Sequence, residues 1–119
     1  VDGRRSLLGG ALTEGGNLYA WMRQLLAFAT DTDLETMLRQ RAPDVHGLSM
    51  LPFIGGERSP GWAVDARGTI HGLSLNTTPI DILQAGLEAI AYRIALRGRQ
   101  QGNKIELALH AQEVHIKTC

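Results

Sequence analysis

Residues 51–88, LPFIGGERSPGWAVDARGTIHGLSLNTTPIDILQAGLE, lay out a strand, a specified loop, a second strand and a capped helix in that order. An apolar run from Leu51 to Ile54 enters a sharp turn at Gly55-Gly56, with the charged pair Glu57-Arg58 at its apex. Ser59-Pro60-Gly61 stiffens the loop and pins Trp62, which reads as a packing anchor. Thr78-Pro79 opens a helix over residues 79–97: Thr78 caps it, Pro79 takes the first position and Asp81 complements the dipole. Ile80, Leu83, Leu87, Ile90 and Ile94 form its apolar stripe, and Arg93, Arg97 and Arg99 suit its C-terminal end. Gly98 or Gly102 is placed to stop it.

The flanking segments alternate between the two periods. Residues 6–12 read as a short strand broken by Gly9-Gly10. Gly15-Gly16-Asn17 opens an amphipathic helix in which Leu18, Trp21, Met22, Leu25, Phe28 and Ala29 recur at helical spacing. A second helix starts at Thr32, with Glu35 completing a capping box and Leu34, Met37 and Leu38 facing inward; Pro43 marks its end. The run from Met50 to Ile54 contains Pro52, which puts it near a sheet edge. In residues 69–75 the apolar parity shifts at Gly72, as at a bulge. Ile105, Leu107 and Leu109 alternate with polar residues as a half-buried strand. The alternation of strands and helices gives an α/β class.

Composition narrows the function. With 119 residues there is room for one domain, 1–119, and 44% apolar against 20% charged residues is the balance of a folded globular chain. Zero formal net charge gives no reason to expect nucleic acid or an anionic membrane as partner. No apolar run approaches the ~18 residues of a membrane helix. The single Cys119 cannot form an internal disulfide, which fits a reducing, cytoplasmic setting. His110, His115 and Cys119 match no zinc spacing, so no metal site is assigned; residues 110–119 read as an atypical, frayed tail. The sequon Asn76-Thr77-Thr78 is read as chance.

Two places remain for chemistry. Gly15-Gly16 at a helix start leaves backbone N–H groups open to a phosphate or ribose; equally, the pair would permit tight strand-to-helix packing. Arg67 has the donors to hold the 57–62 loop through carbonyls. Asp81 and Glu88 are most simply a helix-start charge and a surface or interface carboxylate.

The chain resembles the FGGY family of carbohydrate kinases. Gly68, Ile70, Gly72 and Leu73 fill the first half of that family's signature, and Asp81, Ile82, Ala85, Leu87 and Glu88 the second; Gly86 departs from it, standing where a side chain is usual. The run from Gly56 to Trp62 is most similar to gluconate kinases, with xylulose kinases next, and LLGGALTEGGNLYAW (residues 7–21) also resembles the family. The resemblance implies part of an actin-like (ribonuclease H-like) ATPase domain, a mixed sheet with flanking helices that is incomplete relative to the family. It implies ATP and Mg²⁺ as cofactors and transfer of the γ-phosphoryl group to a hydroxyl of a sugar or sugar acid. It places Gly16, beside Gly15, and one turn on Ala20 against the nucleotide, although several relatives carry a longer polar side chain at the Ala20 position. Glu57, Arg58, Trp62 and Arg67 become a domain-interface loop, with Glu57-Arg58 either an ion pair that locks it or a solvated turn. No aspartate matches the family's catalytic base, so no catalytic residue is assigned and the piece alone is expected to be inactive. The start at Val1, and the HAQEVHIKTC tail where the family has a glycine-rich loop, lead us to expect a truncated, rearranged or frame-shifted coding sequence. An incomplete sheet would expose an edge and apolar surface, for which a homo-oligomer is the expected cover. The alternative is a non-catalytic binding or assembly domain on the same scaffold.

Overall fold

The computed structural model describes residues 15–57 and 62–100, and within them three helices and one two-stranded sheet. In chain order these are α1 (Gly16–Leu25), α2 (Leu34–Arg39), β1 (Ser49–Leu51), β2 (Thr69–His71) and α3 (Pro79–Gln100). The strands pair antiparallel in the register Ser49↔His71, Met50↔Ile70 and Leu51↔Thr69. The strands expected at residues 6–12 and 105–109 lie outside the described residues, as do Arg58, His110, His115 and Cys119.

Helix α3 is the centre of the fold. Leu83 and Ile90 are buried with Leu18 and Met22 of α1 and Leu34 and Leu38 of α2, and Met50, Ile54, Ile80, Leu87 and Ile94 close around them. Gly86 explains how α1 and α3 come so near. A Cβ at Gly86 would stand 2.5 Å from the Met22 sulfur, so the missing side chain is the seat of the Met22 thioether. The position that departs from the family signature is therefore matched to Met22.

Several boundaries differ from the sequence reading, each for a local reason. Helix α1 ends at Leu25 and does not continue to Ala29. Ala27 turns left-handed at φ 53, and the N–H groups of Ala27 and Phe28 reach back to the carbonyls of Gln24 and Arg23. That is a Schellman stop with alanine where glycine is usual. In α2 the cap is Asp33 and not Thr32; its carboxylate accepts from the Thr36 N–H at 3.1 Å and the Thr36 hydroxyl at 2.7 Å. Glu35 instead pairs with Arg39 one turn on. Strand β1 is over by Leu51, because Pro52 has no N–H to give a ladder, and Leu51 itself is exposed. Gly72 makes no bulge; it ends β2 at φ +96, where a Cβ would lie 2.9 Å from the Gly47 carbonyl oxygen. Helix α3 runs through Gly98 to Gln100, so Gly98 does not stop it. Its start agrees with the reading: Asp81 accepts from the Thr78 N–H and hydroxyl, both at 2.8 Å.

No helix among the described residues is long and apolar enough to cross a membrane.

Candidate functional site

The first turn of α1 is open. No side chain caps it among the described residues, and no acidic residue lies in its first turn. The Gly15 N–H is taken by Asn17 Oδ1 at 2.8 Å, and the N–H groups that follow in the first turn have no intrahelical carbonyl to reach. Among the described residues a Cβ at Gly15 would meet nothing within 4 Å; the strand against which the pair was expected to pack lies outside them. Gly16 and Ala20 are exposed on the same helix. Ala20 borders an open hollow of about 380 Å³ shared with Tyr19, Arg23, Gln24, Phe28 and Thr30. Arg23 forms its floor, donating to the Ala29 carbonyl at 3.1 Å and lying 6.0 Å from the Tyr19 ring centroid. With alanine at position 20 the hollow stays unobstructed. Gly16 and Ala20 stand one turn apart on α1 with Gly15 just before them, and of the three only Ala20 lines the hollow.

The loop residues are placed differently from the reading. Glu57 pairs with Arg93 of α3; whether it also meets Arg58, as an ion pair or across a solvated turn, falls on a residue outside those described. Arg93 also lies over the Phe53 ring, 4.8 Å from its centroid. Trp62 is no packing anchor within the described residues: it is 69% exposed, at φ 55. Arg67 donates from Nη1 to the carbonyl of its own chain neighbour, Ala66, at 3.1 Å, an exposed bond that does not itself tie down the 57–62 loop.

Sequence reasoning missed a buried polar stripe on α3. Asp81, Gln84 and Glu88 stand at helical spacing on one face and receive the whole 41–48 segment. Arg41 donates to Asp81 and, at 2.6 Å, to Gln84 Oε1. Gln84 Nε2 then donates to the Ala42 carbonyl and to Glu88 Oε1, each at 2.8 Å. Glu88 further accepts from the Asp44 N–H at 3.1 Å and meets His46 Nε2 at 3.0 Å. Because the Leu48 N–H donates to His46 Nδ1 at 2.9 Å, the imidazole proton must sit on Nε2 and point at Glu88. Glu88 is therefore a buried, fully engaged carboxylate, not the surface group expected. The signal was available: three polar residues at i, i+3 and i+7 interrupt the otherwise apolar 79–91 stretch of the helix.

Asp44, His46 and Glu88 also bring three ligand atoms within 4.8 Å of one another. A metal on Nε2 would require Nδ1 to carry the proton, and the Leu48 N–H already occupies that lone pair. The chemistry of the donor set is that of a lock between loop and helix. Burial would raise the Asp81 carboxyl, but the Thr78 N–H and hydroxyl and the Arg41 guanidinium outweigh it and hold the group below its ordinary range. Burial, then the charges of Glu88 and Asp44, push the Tyr92 hydroxyl upward.

Comparison with known proteins bears on both regions. Residues 2–115 match the FGGY family of carbohydrate kinases, C-terminal domain. The chain is 42% identical over 91 residues to the apulose kinase of Pectobacterium atrosepticum, a match covering 76% of this chain and 18% of that protein. It is 39% identical over 87 residues to the glycerol kinase of Paracidovorax citrulli, covering 72% of this chain and 17% of that protein. Among solved structures it is similar to the gluconate kinase of Lactobacillus acidophilus, with a TM-score of 0.67 at 28% identity over 78% of this chain and 20% of that one. A xylulose kinase from the same organism aligns at TM-score 0.67 and 29% identity, over 76% of this chain and 19% of that one. The chain thus spans less than a fifth of the length of the relatives in sequence. With the mixed helix-and-sheet core aligned to these kinases and the family match running almost end to end, this chain belongs to the FGGY family of carbohydrate kinases, within the C-terminal domain.

Proposed function

We propose that the chain forms part of the nucleotide side of an ATP-dependent carbohydrate kinase cleft. The reaction served is transfer of the γ-phosphoryl group of Mg-ATP to a hydroxyl of a sugar or sugar acid. The observation that supports this reading is the start of α1 as it stands among the described residues: no side chain caps it, a Cβ at Gly15 would meet nothing within 4 Å, and Ala20 borders an open hollow one turn on. Helix N-termini of this kind favour anionic oxygen, and phosphoryl transfer depends on positioned phosphates. The relatives and structural neighbours include proteins named as apulose, glycerol, xylulose and gluconate kinases. The Gly56–Trp62 run favours a gluconate-like acid. Glu57, Trp62 and Arg67, with Arg58, would serve the closing domain interface, in a cytoplasmic enzyme. No carboxylate of this chain is assigned as the base that takes the hydroxyl proton, so the piece on its own would bind nucleotide without transferring phosphate.

Titration calorimetry with Mg-ADP tests this. Saturable heat that Gly16→Trp abolishes supports the half-site; no heat above dilution for the unaltered chain refutes it. A second reading, an assembly domain, is favoured by the exposure of Trp62, Val64, Leu73 and Leu75. It predicts a homo-oligomer, which sedimentation as a monomer at high concentration would refute.

A further inference from the structure

We propose that Arg93 is the positioning residue that fixes both stems of the Glu57 loop against α3. Arg93 and Glu57 are largely withdrawn from water, with side-chain exposures of 14% and 12%. The guanidinium engages two partners at once, donating from Nη2 to the Glu57 carboxylate while its Cζ lies over the Phe53 ring. Its delocalised, multi-donor charge suits the two contacts together better than a lysine ammonium. Glu57 passes this constraint on, because its own N–H donates to the Ala63 carbonyl at 3.0 Å. The Ala66 N–H donates to the same oxygen at 3.0 Å. A side chain on α3 therefore holds the ascending stem, and a backbone rung holds the descending one.

The descending stem carries what is presented outward. Trp62 and Val64 are 69% and 70% exposed. Trp62 also keeps a left-handed backbone at φ 55, a conformation that a bulky residue holds only where its surroundings impose it. Gly56, at φ +81, lets the Val64 carbonyl oxygen come to 2.6 Å from where a Cβ would be. Arg93 lies about two turns beyond Gly86, the seat of Met22, and so on the same face of α3. One helix face thus locates both α1, with its open N-terminus, and the stems that present Trp62 and Val64. The consequence is that Trp62 and Val64 are presented outward in fixed relation to α1, as a surface for the rest of the cleft. This function of the surface rests on the kinase reading; the positioning by Arg93 does not.

Native-state hydrogen exchange on the whole chain, without ligand, separates the two. In Arg93→Gln the amides of Glu57 and Ala66 should exchange at least tenfold faster relative to those of Leu83, Leu87 and Ile90. Arg93→Lys should recover part of the protection, and Glu57→Gln should reproduce the loss from the other partner, which also covers the case in which Arg93→Gln does not fold. If all these amides accelerate in step, Arg93 contributes only global stability and the proposal is wrong. Unchanged exchange at Glu57 and Ala66 in both variants also overturns it.

Discussion

Replacing Glu88 by glutamine keeps the shape of the side chain and removes one acceptor. Three donors converge on this carboxylate: the Asp44 N–H, His46 Nε2–H and Gln84 Nε2–H. None can turn away. His46 is fixed by the Leu48 N–H at Nδ1, and Gln84 by Arg41 on its oxygen and the Ala42 carbonyl on its nitrogen. Whichever way the new amide is placed, its NH₂ faces either His46 Nε2–H or Gln84 Nε2–H. One buried donor facing another costs about 1–3 kcal/mol, and the remaining bonds lose their charge assistance. Relief from burying a carboxylate offsets part of this. We expect a net loss of about 2–3 kcal/mol, a large share of the ~5–15 kcal/mol typical of a domain. Urea unfolding monitored at the helical circular dichroism band should show a lower midpoint with an unchanged slope. Glu35→Gln, which removes the exposed pair with Arg39, should cost under about 0.5 kcal/mol in the same assay. A Glu88→Gln loss no larger than that of Glu35→Gln would refute the assignment of a donor-saturated lock.

The geometry makes three further outcomes testable. Ala27→Gly should raise stability by up to about 1 kcal/mol, because relief of the left-handed strain exceeds the added unfolded-state entropy; thermal unfolding checks it. Gly86→Val should cost roughly 1–3 kcal/mol by displacing Met22, and the pair Gly86→Val with Met22→Ala should fall short of the summed single costs by more than about 0.5 kcal/mol in a double-mutant cycle. Asp81 is held below its ordinary range, so its contribution is full above about pH 4 and is lost as pH falls through and below that value. Asp81→Asn should flatten the acid limb of the stability–pH curve.

What the sequence made legible was whatever depends on neighbours a turn away. The Thr78-Pro79-Asp81 start of α3 and the Leu18–Met22 face of α1 are of this kind, and so is the glycine-opened start of α1. What it concealed was set by partners far along the chain. Glu57 has a charged neighbour at position 58, yet its carboxylate is taken by Arg93, which only packing brings near. Glu88 looks like a surface or interface charge until the 41–48 segment folds over it with two donors, to which Gln84 of the same helix adds a third. The end of α1 was missed because alanine fills a left-handed position where glycine would have signalled the stop. Trp62 looked like an anchor because large aromatics usually find cover, and here it is turned outward by its own backbone.

The central claim is that the start of α1 is a nucleotide half-site, and a ¹H–¹⁵N correlation titration with Mg-ADP tests it most directly. The account predicts saturable shifts concentrated at the amides of Gly15, Gly16, Asn17 and Ala20, with inorganic phosphate reproducing only those at the helix start. Saturable shifts that fall elsewhere on the chain, or none at all, would contradict it.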